Sequence, residues 1–371
     1  MRQLRIHLRR NFSPFCIFLG AYHRIHLNMR YIIFFAVLIL NMACQTTNIV
    51  TMSVIEPAPV ELPQYIQKVG ILNRSLPADK DKLLDKVDKV LSAEGMNLDK
   101  EGAEASVLGL KEELERNNKL VEVVVLEVEQ IENPAYGNFP NPLPWEQVYA
   151  ICDQNGLDGL FVLEFYDTDA NIHYSTHQVN ITTPVGISVP ALEHHASVHT
   201  VIKTGWRIYD NHEKQLVDEY LITEQLTTVG KGINPLEAAK AITGRKEAVK
   251  NSSYHIGRGY AMSIVPYRTR VQRDYYVKGS DNFKVAKRRA QTGNWDGAAE
   301  LWLKETDNNK SKIAGRAAYN MAIINEINGE LDAAIDWAQK AYADYGDKLG
   351  LKYVRVLQNR KVKAQAVDRQ L

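Results

Sequence analysis

The sequence predicts an α+β protein, with an N-terminal mixed α/β sheet domain over residues 63–279 and an all-α helical array over residues 280–371. Three patterns predict it. Short apolar runs alternate with segments of helical periodicity from residue 68 to residue 166, and period-two alternation of strands follows from residue 171. Beyond residue 280 the pattern is helical and repeats itself, so we expect two domains that each bury a core.

Residues 29–44 have the composition of a secretory signal. Arg30 precedes the apolar run Tyr31–Leu40, which is too short for a membrane-spanning helix, since one needs about 20 residues. The small residue Ala43 lies directly before Cys44. This resembles a bacterial lipoprotein signal, in which the cysteine is lipidated and becomes the N-terminus. We therefore expect lipidation of Cys44 and a lipid anchor in the membrane; a plain cleaved signal and an uncleaved anchor are the alternatives.

The segments on either side of this signal are predicted to lie outside the folded domains. Residues 1–28 contain five arginines and no acid, and we interpret them as an over-extended reading frame or a long basic n-region. Residues 45–62 are polar and then proline-rich, which predicts a tether. No acidic run follows Cys44. In lipoproteins of the Bacteroidetes type such runs often signal export to the cell surface, so we expect an outer-membrane position facing the periplasm.

Charge and cysteine content narrow the classes of partner. From Cys44 onward the chain has 39 basic and 44 acidic residues, a net charge of −5. Nucleic-acid binding needs a concentrated basic face, so we expect no nucleic-acid partner. Cys152 is the one cysteine after Cys44, and no intramolecular disulfide can therefore form between this residue and another in the folded part. We expect stability to come from packing, and we expect no cofactor.

The first half of the sheet domain alternates strands with helices. A helix over Asp79–Glu94 would turn five apolar residues to one face, and a second over Ala103–Asn117 would turn Leu108, Leu110 and Leu114 inward. The other predicted elements, in order, are a strand at Lys68–Asn73, a strand at Leu120–Val128, a proline-rich loop at Pro134–Pro144, a helix at Trp145–Asn155 and a strand at Leu160–Tyr166.

The second half of the sheet domain is predicted to contain strands and then a long helix. Asn171–Asn180 and Ala196–Tyr209 alternate polar and apolar residues, and Leu216–Thr227 would pair back after a turn. Six residues of the second strand should share one buried face: Val198, Thr200, Ile202, Thr204, Trp206 and Ile208.

Asn234 and Pro235 would begin a helix that is broken near Gly244 and ends before Pro266. A last strand covers Tyr267–Val277. The closing segment, Gly257–Pro266 followed by Arg270–Tyr276, resembles the end of periplasmic lipoproteins related to the curli-secretion and penicillin-binding-protein-activator families.

The C-terminal domain contains an internal repeat. Gly293, Trp295 and Ala298 match Gly329, Leu331 and Ala334 at an offset of 36 residues. The pattern resembles tetratricopeptide repeats, with two residues added in 308–312, and a final helix is predicted at about Lys348–Gln358. The resemblance implies protein binding in a groove between paired helices. Candidate partner contacts are Trp295, Trp302, Tyr319 and Trp337, of which we expect some to pack in the core.

Histidines supply the one cluster with metal-ligand chemistry: His173, His177, His194, His195 and His199. On a strand, His195 and His199 would face one way and His194 the other, which spreads the group, so we expect no metal site. Residues 167–171 imitate the start of a calcium loop, but Ile172 and Gln178 replace the glycine and glutamate that such a loop needs.

Other motifs of catalysis are weak in this sequence. Cys152 lies among apolar residues with no histidine nearby to activate it, and we interpret it as a buried small hydrophobe. The glycine pair Gly230 and Gly232 predicts a turn, and Arg268, Arg270 and Arg273 form either a basic stripe for an anionic partner or the solvated face of a strand. We find no serine-nucleophile elbow, zinc-protease helix or phosphate-binding loop.

These patterns favour a non-enzymatic role. The layout resembles uncharacterised Bacteroidetes-type lipoproteins with C-terminal tetratricopeptide repeats, which implies protein–protein interaction or scaffolding in an envelope assembly. A subunit of a secretion or cell-wall-synthesis complex is an alternative, and a metal-dependent envelope hydrolase using the histidines is a further one. The sequence does not identify the protein partner.

Overall fold

The computed structural model describes residues 46–75, 98–127, 139–182, 184 and 186–371. The lipidation candidate Cys44 and the predicted helix at Asp79–Glu94 lie outside these residues. The described chain separates into two compact units. Among the described residues, the sheet unit comprises those between 53 and 269 together with 362–371, and the helical unit comprises 46–52 together with 270–361. The architecture is α+β, with a mixed sheet in the N-terminal part and helices in the C-terminal part, as the sequence predicts.

A five-stranded mixed sheet forms the centre of the sheet unit. Its strands are β2 (Lys68–Asn73), β3 (Glu122–Leu126), β4 (Gly159–Thr182), β5 (Ser188–Asp210) and β6 (Gln215–Gly232). They lie in the order β3-β2-β4-β5-β6, with β2 parallel to both β3 and β4, and with β5 antiparallel to both β4 and β6.

Strand β4 is much longer than the sequence predicts. It pairs with β2 only from Gly159 to Leu163, but its pairing with β5 continues to Thr182 opposite Ser188. The prediction of two separate strands was wrong because the polar run at 167–171 resembles a loop, yet its backbone stays in the ladder with β5. We call residues 170–182, 188–200 and 226–232, the outer parts of β4, β5 and β6, the arm.

Helices cover both faces of this sheet. The six β5 residues predicted to share a buried face are each at most 1% exposed, which confirms that prediction. This face packs with α1 (Leu98–Leu114) and α4 (Arg245–Met262), while α2 (Trp145–Asn155) packs on the opposite face. The short helix α3 (Pro235–Lys240) packs on the arm.

Local sequence signals place the ends of α3 and α4. Asn234 caps α3 by accepting a 2.9 Å hydrogen bond from the backbone N–H of Glu237, and Pro235 is its first residue. Gly244 has a φ of 76° and separates α3 from α4. Both predictions are confirmed. Gly230 and Gly232 are at the end of β6 and do not form the predicted turn. Residue 230 must be a glycine because a Cβ there would lie 2.2 Å from the Ala238 carbonyl oxygen of α3.

Helices α1 and α4 approach each other at backbone distance. A Cβ on Gly257 would lie 1.8 Å from the carbonyl oxygen of Ser106, and one on Gly109 would lie 2.0 Å from that of Tyr254. The hydroxyl of Ser106 donates a 3.0 Å hydrogen bond to the Ser253 carbonyl. Since small residues form this contact, Leu108 points away and is 49% exposed, so its predicted inward position was wrong.

The helical unit contains two helical hairpins that repeat the same turn. Its helices are α5 (Asp281–Gln291), α6 (Trp295–Glu305), α7 (Ser311–Asn328), α8 (Leu331–Ala343) and α9 (Lys348–Gln370). Gly293 and Gly329, 36 residues apart, have φ angles of 82° and 84°, and a helix follows each of them. Ala298 and Ala334 are both fully buried. The last helix is longer than predicted, and its residues from 362 onward belong to the sheet unit.

Part of the predicted tether is a strand. Strand β1 (Thr47–Glu56) pairs with β7 (Tyr267–Tyr276) in a separate two-stranded sheet. Val50 and Val54 are buried, and Ala58 and Leu62 beyond the strand are buried as well. The prediction of an irregular tether over residues 45–62 was therefore wrong for these residues. The prolines that favoured it follow the strand, whereas the strand itself is rich in β-branched residues.

Candidate functional site

Two of the four aromatic residues predicted to contact a partner lie in the core of the helical unit. Trp302 is fully buried, and Tyr319 is 4% exposed. The ring of Trp302 lies 5.8 Å from that of Tyr275, and the ring of Tyr319 lies 5.4 Å from those of Tyr276 and Tyr353. As partner contacts these two residues were wrong predictions, since packed helices need large side chains to fill the space between them.

The other two aromatics remain accessible. Trp295 is partly buried, with its ring 5.5 Å from that of Tyr275. Trp337 is also partly buried, and the Lys340 ammonium lies 5.2 Å from its ring centroid in a cation–π contact. Trp295 and Trp337 therefore stay candidates for partner contact, and Lys340 is the polar neighbour that a partner would meet beside Trp337.

The basic stripe proposed on β7 loses one of its three members. Arg273 donates two 2.8 Å hydrogen bonds to the buried carboxylate of Glu326, from Nε to Oε2 and from Nη2 to Oε1. Burial lowers the pKa of Arg273, but the hydrogen bonds to Glu326 and its negative charge together outweigh burial, and the pKa is raised overall. Arg268 and Arg270 are exposed. The guanidinium of Arg273 is committed to a structural ion pair and does not face a partner.

The arm exposes large apolar side chains. Leu192 is 66% exposed, Ile181 is 53% exposed and Val229 is 50% exposed. All three residues are in the outer parts of their strands, beyond the segment of β4 that pairs with β2. The rest of the five-stranded sheet therefore does not cover their side chains. By the strand register, Ile181 and Val229 lie on the face of the arm that carries His195, and Leu192 lies on the opposite face. The feature was not predicted from the sequence, because Leu192, Ile181 and Val229 all lie outside the predicted strands.

One face of the arm carries four of the five clustered histidines. The strand register places His173, His177, His195 and His199 on the same face and His194 on the other, as predicted for the three on β5. The rings of His177 and His195 are 4.2 Å apart. His195 Nε2 also lies 2.6 Å from Glu193 Oε2, a contact that lowers the pKa of Glu193.

Within the described residues, no three or more histidine, cysteine or acidic side chains are placed to hold a metal ion. The imidazoles of the arm instead pair with neighbours. His177 Nε2 lies 3.0 Å from the Ser175 hydroxyl, and His199 Nδ1 lies 2.9 Å from the Thr227 hydroxyl.

Charge is distributed unevenly along the chain. Residues 120–202, which include β3, α2 and β4, contain eleven acidic residues and no lysine or arginine. Residues 270–361, the larger part of the helical unit, contain 17 basic and 12 acidic residues. A ligand or partner would therefore meet opposite average charges on the two units.

Two buried groups with reactive chemistry are closed off from solvent. Cys152 is fully buried, and burial, helped by Asp158, raises its pKa to about 12, so the thiol stays protonated as expected for a small hydrophobe. Glu164 is also fully buried; its carboxylate lies 2.9 Å from Arg74 and accepts a 2.5 Å hydrogen bond from the Tyr209 hydroxyl. Neither group can reach a substrate in this arrangement.

No helix in the described ranges combines the length and the apolar character that a membrane crossing requires. No curated protein matches the chain. Among solved structures, the PelC dodecamer from Paraburkholderia phytofirmans is similar over 58% of this chain and 98% of that chain, at 7% identity and a TM-score of 0.23.

Two family models match in succession. Residues 284–359, within the helical part, match a domain of unknown function, DUF6340. Residues 66–276, more than half of the chain, match another domain of unknown function, DUF8603. The central five-stranded sheet and its helices lie within this second match. The chain therefore belongs to the DUF8603 family, with a DUF6340 region following it.

Proposed function

We propose that the chain is a protein-interaction or scaffold module of the cell envelope, held at the outer membrane by lipid on Cys44 and facing the periplasm. The arm is the observation that supports it most directly. It is a three-stranded extension of the sheet with exposed apolar side chains, while the buried reactive groups of the described residues, Cys152 and Glu164, are out of reach of a substrate.

The energetics of the arm favour a partner. Ordering the backbone costs roughly 1–2 kcal/mol per residue, and burial of apolar surface normally offsets that cost. The base of β4 is buried without interruption from Gly159 to Thr168, whereas most residues beyond it are exposed. Contact of another protein with Ile181 and Val229 on one face, or with Leu192 on the other, would supply part of the missing burial.

The helical unit supports the same proposal. Its 36-residue offset and the matching glycine turns resemble tetratricopeptide repeats, which bind proteins. Trp295 and Trp337 are the partly exposed aromatics there, and aromatic residues are enriched at binding hot spots.

Site-specific photo-crosslinking in the native host tests the arm. A photoreactive amino acid at Leu192 or Ile181 should give discrete protein adducts, whereas one at Leu303, which is 48% exposed on α6, serves as the control. Adducts that appear from both arm positions and not from Leu303 are the expected result. Equal adduct yields at the three positions, or none from the arm, would contradict the proposed role of the arm.

The intact mass of the protein extracted from native membranes tests the anchor. A chain that begins at Cys44 and carries acyl groups is expected. A soluble chain that retains residues 1–28 would contradict both the anchor and the envelope location. The role of the arm would still be decided separately, by the crosslinking experiment.

A further inference from the structure

A basic hollow of about 430 Å³ lies in the helical unit, where α7 and α9 begin. Three cationic side chains line it, Lys312, Arg316 and Lys348, and Ser311 and Tyr345 lie beside them. We call these five residues the basic hollow. Lys312 and Lys348 are exposed. None of these five residues belongs to the arm or to the four aromatic residues predicted as partner contacts.

Arg316 is held in place before any ligand arrives. Its guanidinium lies 4.9 Å from the ring centroid of Tyr276, and its Nη1 donates a 2.7 Å hydrogen bond to the Lys278 carbonyl. A guanidinium has five N–H donors, so one such bond leaves donors for a ligand. Because the side chain is already ordered, less conformational entropy is lost when it binds an anion.

Asp347 is the acid among the described residues that line the hollow, and it is engaged elsewhere. Its Oδ1 accepts a 2.8 Å hydrogen bond from the Leu349 N–H at the start of α9 and a 3.2 Å bond from the Tyr276 hydroxyl. Burial, together with the Asp347 charge, raises the pKa of Tyr276, so this hydroxyl stays a donor. Three cationic side chains and one carboxylate therefore line the hollow, and this carboxylate already accepts hydrogen bonds from Leu349 and Tyr276.

The surroundings extend the positive charge. The first turn of α7 contains no acidic residue, and its cap position, Lys310, makes no side-chain capping bond. Lys310 and Lys284 also line an adjoining hollow of about 500 Å³, where Lys284 pairs with Asp281 at 2.8 Å. An anion in the basic hollow would therefore have further positively charged side chains on this side as well.

We propose that the basic hollow binds a phosphate group, either the headgroup of an anionic lipid or a soluble phosphate compound. A phosphate group has several acceptor oxygens, and its charge is −1 in the diester of a lipid headgroup and near −2 in a monoester, so it suits two mobile ammonium groups and one fixed guanidinium better than a single carboxylate does. Exposed lysines such as Lys312 and Lys348 can reach an anionic membrane surface, which attracts them.

Vesicle binding by the full chain carrying Cys44→Ser tests the proposal without a lipid anchor. Vesicles of phosphatidylcholine alone measure any contribution from the apolar run at 31–40, and vesicles with added phosphatidylglycerol measure the anionic part. The double variant Lys312→Glu/Lys348→Glu should bind the anionic vesicles at least tenfold more weakly. The matched control Arg288→Glu/Lys304→Glu makes the same charge change at exposed positions on α5 and α6.

Inorganic phosphate distinguishes the two sources. Competition by millimolar phosphate, or phosphate binding by calorimetry that the first double variant abolishes, would assign a soluble compound; vesicle binding that resists phosphate would assign the headgroup. Equal losses in both double variants would mean that only overall charge matters, and would overturn the proposal. The absence of binding to either probe would overturn it as well. Unchanged thermal unfolding of the variants excludes misfolding as the cause.

Discussion

The two units bury the same kind of polar cluster, and the two clusters differ in what they connect. In the sheet unit, Glu164 lies between Arg74 and Arg207 and accepts a hydrogen bond from Tyr209. In the helical unit, Glu326 is bound by Arg273, has Arg360 at 3.7 Å and accepts a hydrogen bond from Tyr353. Both carboxylates are fully buried.

The cluster around Glu164 stabilises a loop against the sheet. Arg207 also donates a 2.8 Å hydrogen bond to the Pro140 carbonyl and lies 4.1 Å from the ring of Phe139. The net effect of burial is to raise the pKa of Glu164, although both arginines and Tyr209 oppose it. The cluster therefore joins β4, β5 and the residue that follows β2 to the proline-rich segment that contains Pro140.

The cluster around Glu326 joins elements that are far apart in sequence. Arg273 is on β7, Glu326 on α7, and Tyr353 and Arg360 on α9. The Arg273–Glu326 pair is bidentate, the strongest geometry for such a pair. A buried ion pair therefore secures one loop in the sheet unit, whereas in the helical unit it holds a strand and two helices together.

The largest expected effect comes from Glu326→Ala. It leaves Arg273 and Arg360 near each other without their carboxylate, and removing one partner of a buried pair costs about 3–5 kcal/mol. Urea unfolding followed by tryptophan fluorescence measures the loss.

Glu164→Ala should cost less than Glu326→Ala, because its arginine contacts are not bidentate. For the Glu326 cluster, Arg273→Lys is the control, because lysine keeps the positive charge but cannot make the two paired hydrogen bonds. If Glu164→Ala proved the more costly variant, the proposed ranking of the two clusters would be incorrect.

Gly257→Ala should destabilise the sheet unit by up to about 3 kcal/mol, because the added Cβ would lie 1.8 Å from a backbone oxygen. Gly259→Ala is the matched control on the same helix. A Cβ there meets nothing within 4 Å, so this change should stabilise by roughly 0.5–1 kcal/mol through higher helix propensity. Similar effects of the two substitutions would show that the close approach of α1 and α4 contributes little compared with the Glu164 cluster.

Asn320→Ala should cost the helical unit about 2 kcal/mol. The Asn320 side chain accepts a 2.7 Å hydrogen bond from the Tyr276 N–H and donates one of 2.7 Å to the Tyr276 carbonyl. Its loss leaves both backbone groups without these bonds. Asn320→Asp keeps the acceptor and loses the donor, so thermal unfolding of this variant should fall between wild type and Asn320→Ala. An Asp variant less stable than the Ala variant would point to the added charge instead.

The smallest expected effect comes from Asp158→Asn, which tests a carboxylate that solvent reaches. Burial raises the pKa of Asp158, but backbone N–H groups of Gln67 and Lys68, at 2.9 and 2.8 Å, outweigh it and lower the pKa overall. Its stabilisation is therefore complete above the ordinary pKa, about 3.9, and is lost as pH falls through the lower folded-state value. The difference in stability from wild type, below about 1 kcal/mol at pH 7, should vanish in acid. A difference that grows as pH falls would contradict this.

The sequence predicts the elements whose signals are local. The cap at Asn234, the break at Gly244 and the buried face of β5 follow from single residues or a period of two, and the 36-residue offset marks both glycine turns. The full length of β4 was missed, because pairing with β5 overrides the polar composition at 167–171.

The candidate interaction sites were harder to predict. Burial of Trp302 and Tyr319 depends on how helices pack, which their spacing does not reveal. The basic hollow combines residues from the beginnings of two helices that are 37 residues apart in sequence, and periodicity within one segment carries no sign of it. Glu164 is the exception: a charged residue within the apolar run 160–166 could have indicated a buried polar cluster.

Helix α9 limits where the chain can be divided into segments that fold separately, because it belongs to both units. Its segment after residue 361 contacts the sheet unit, where the Gln370 side chain accepts a 2.7 Å hydrogen bond from the Ala58 N–H and Lys363 pairs with Glu56 at 2.7 Å. A cut between the two family matches, at residues 277–283, would therefore remove part of the sheet unit together with the helices. The DUF8603 and DUF6340 segments are adjacent in sequence but are not interchangeable cassettes, and recombination that separates them would leave an incomplete fold on one side.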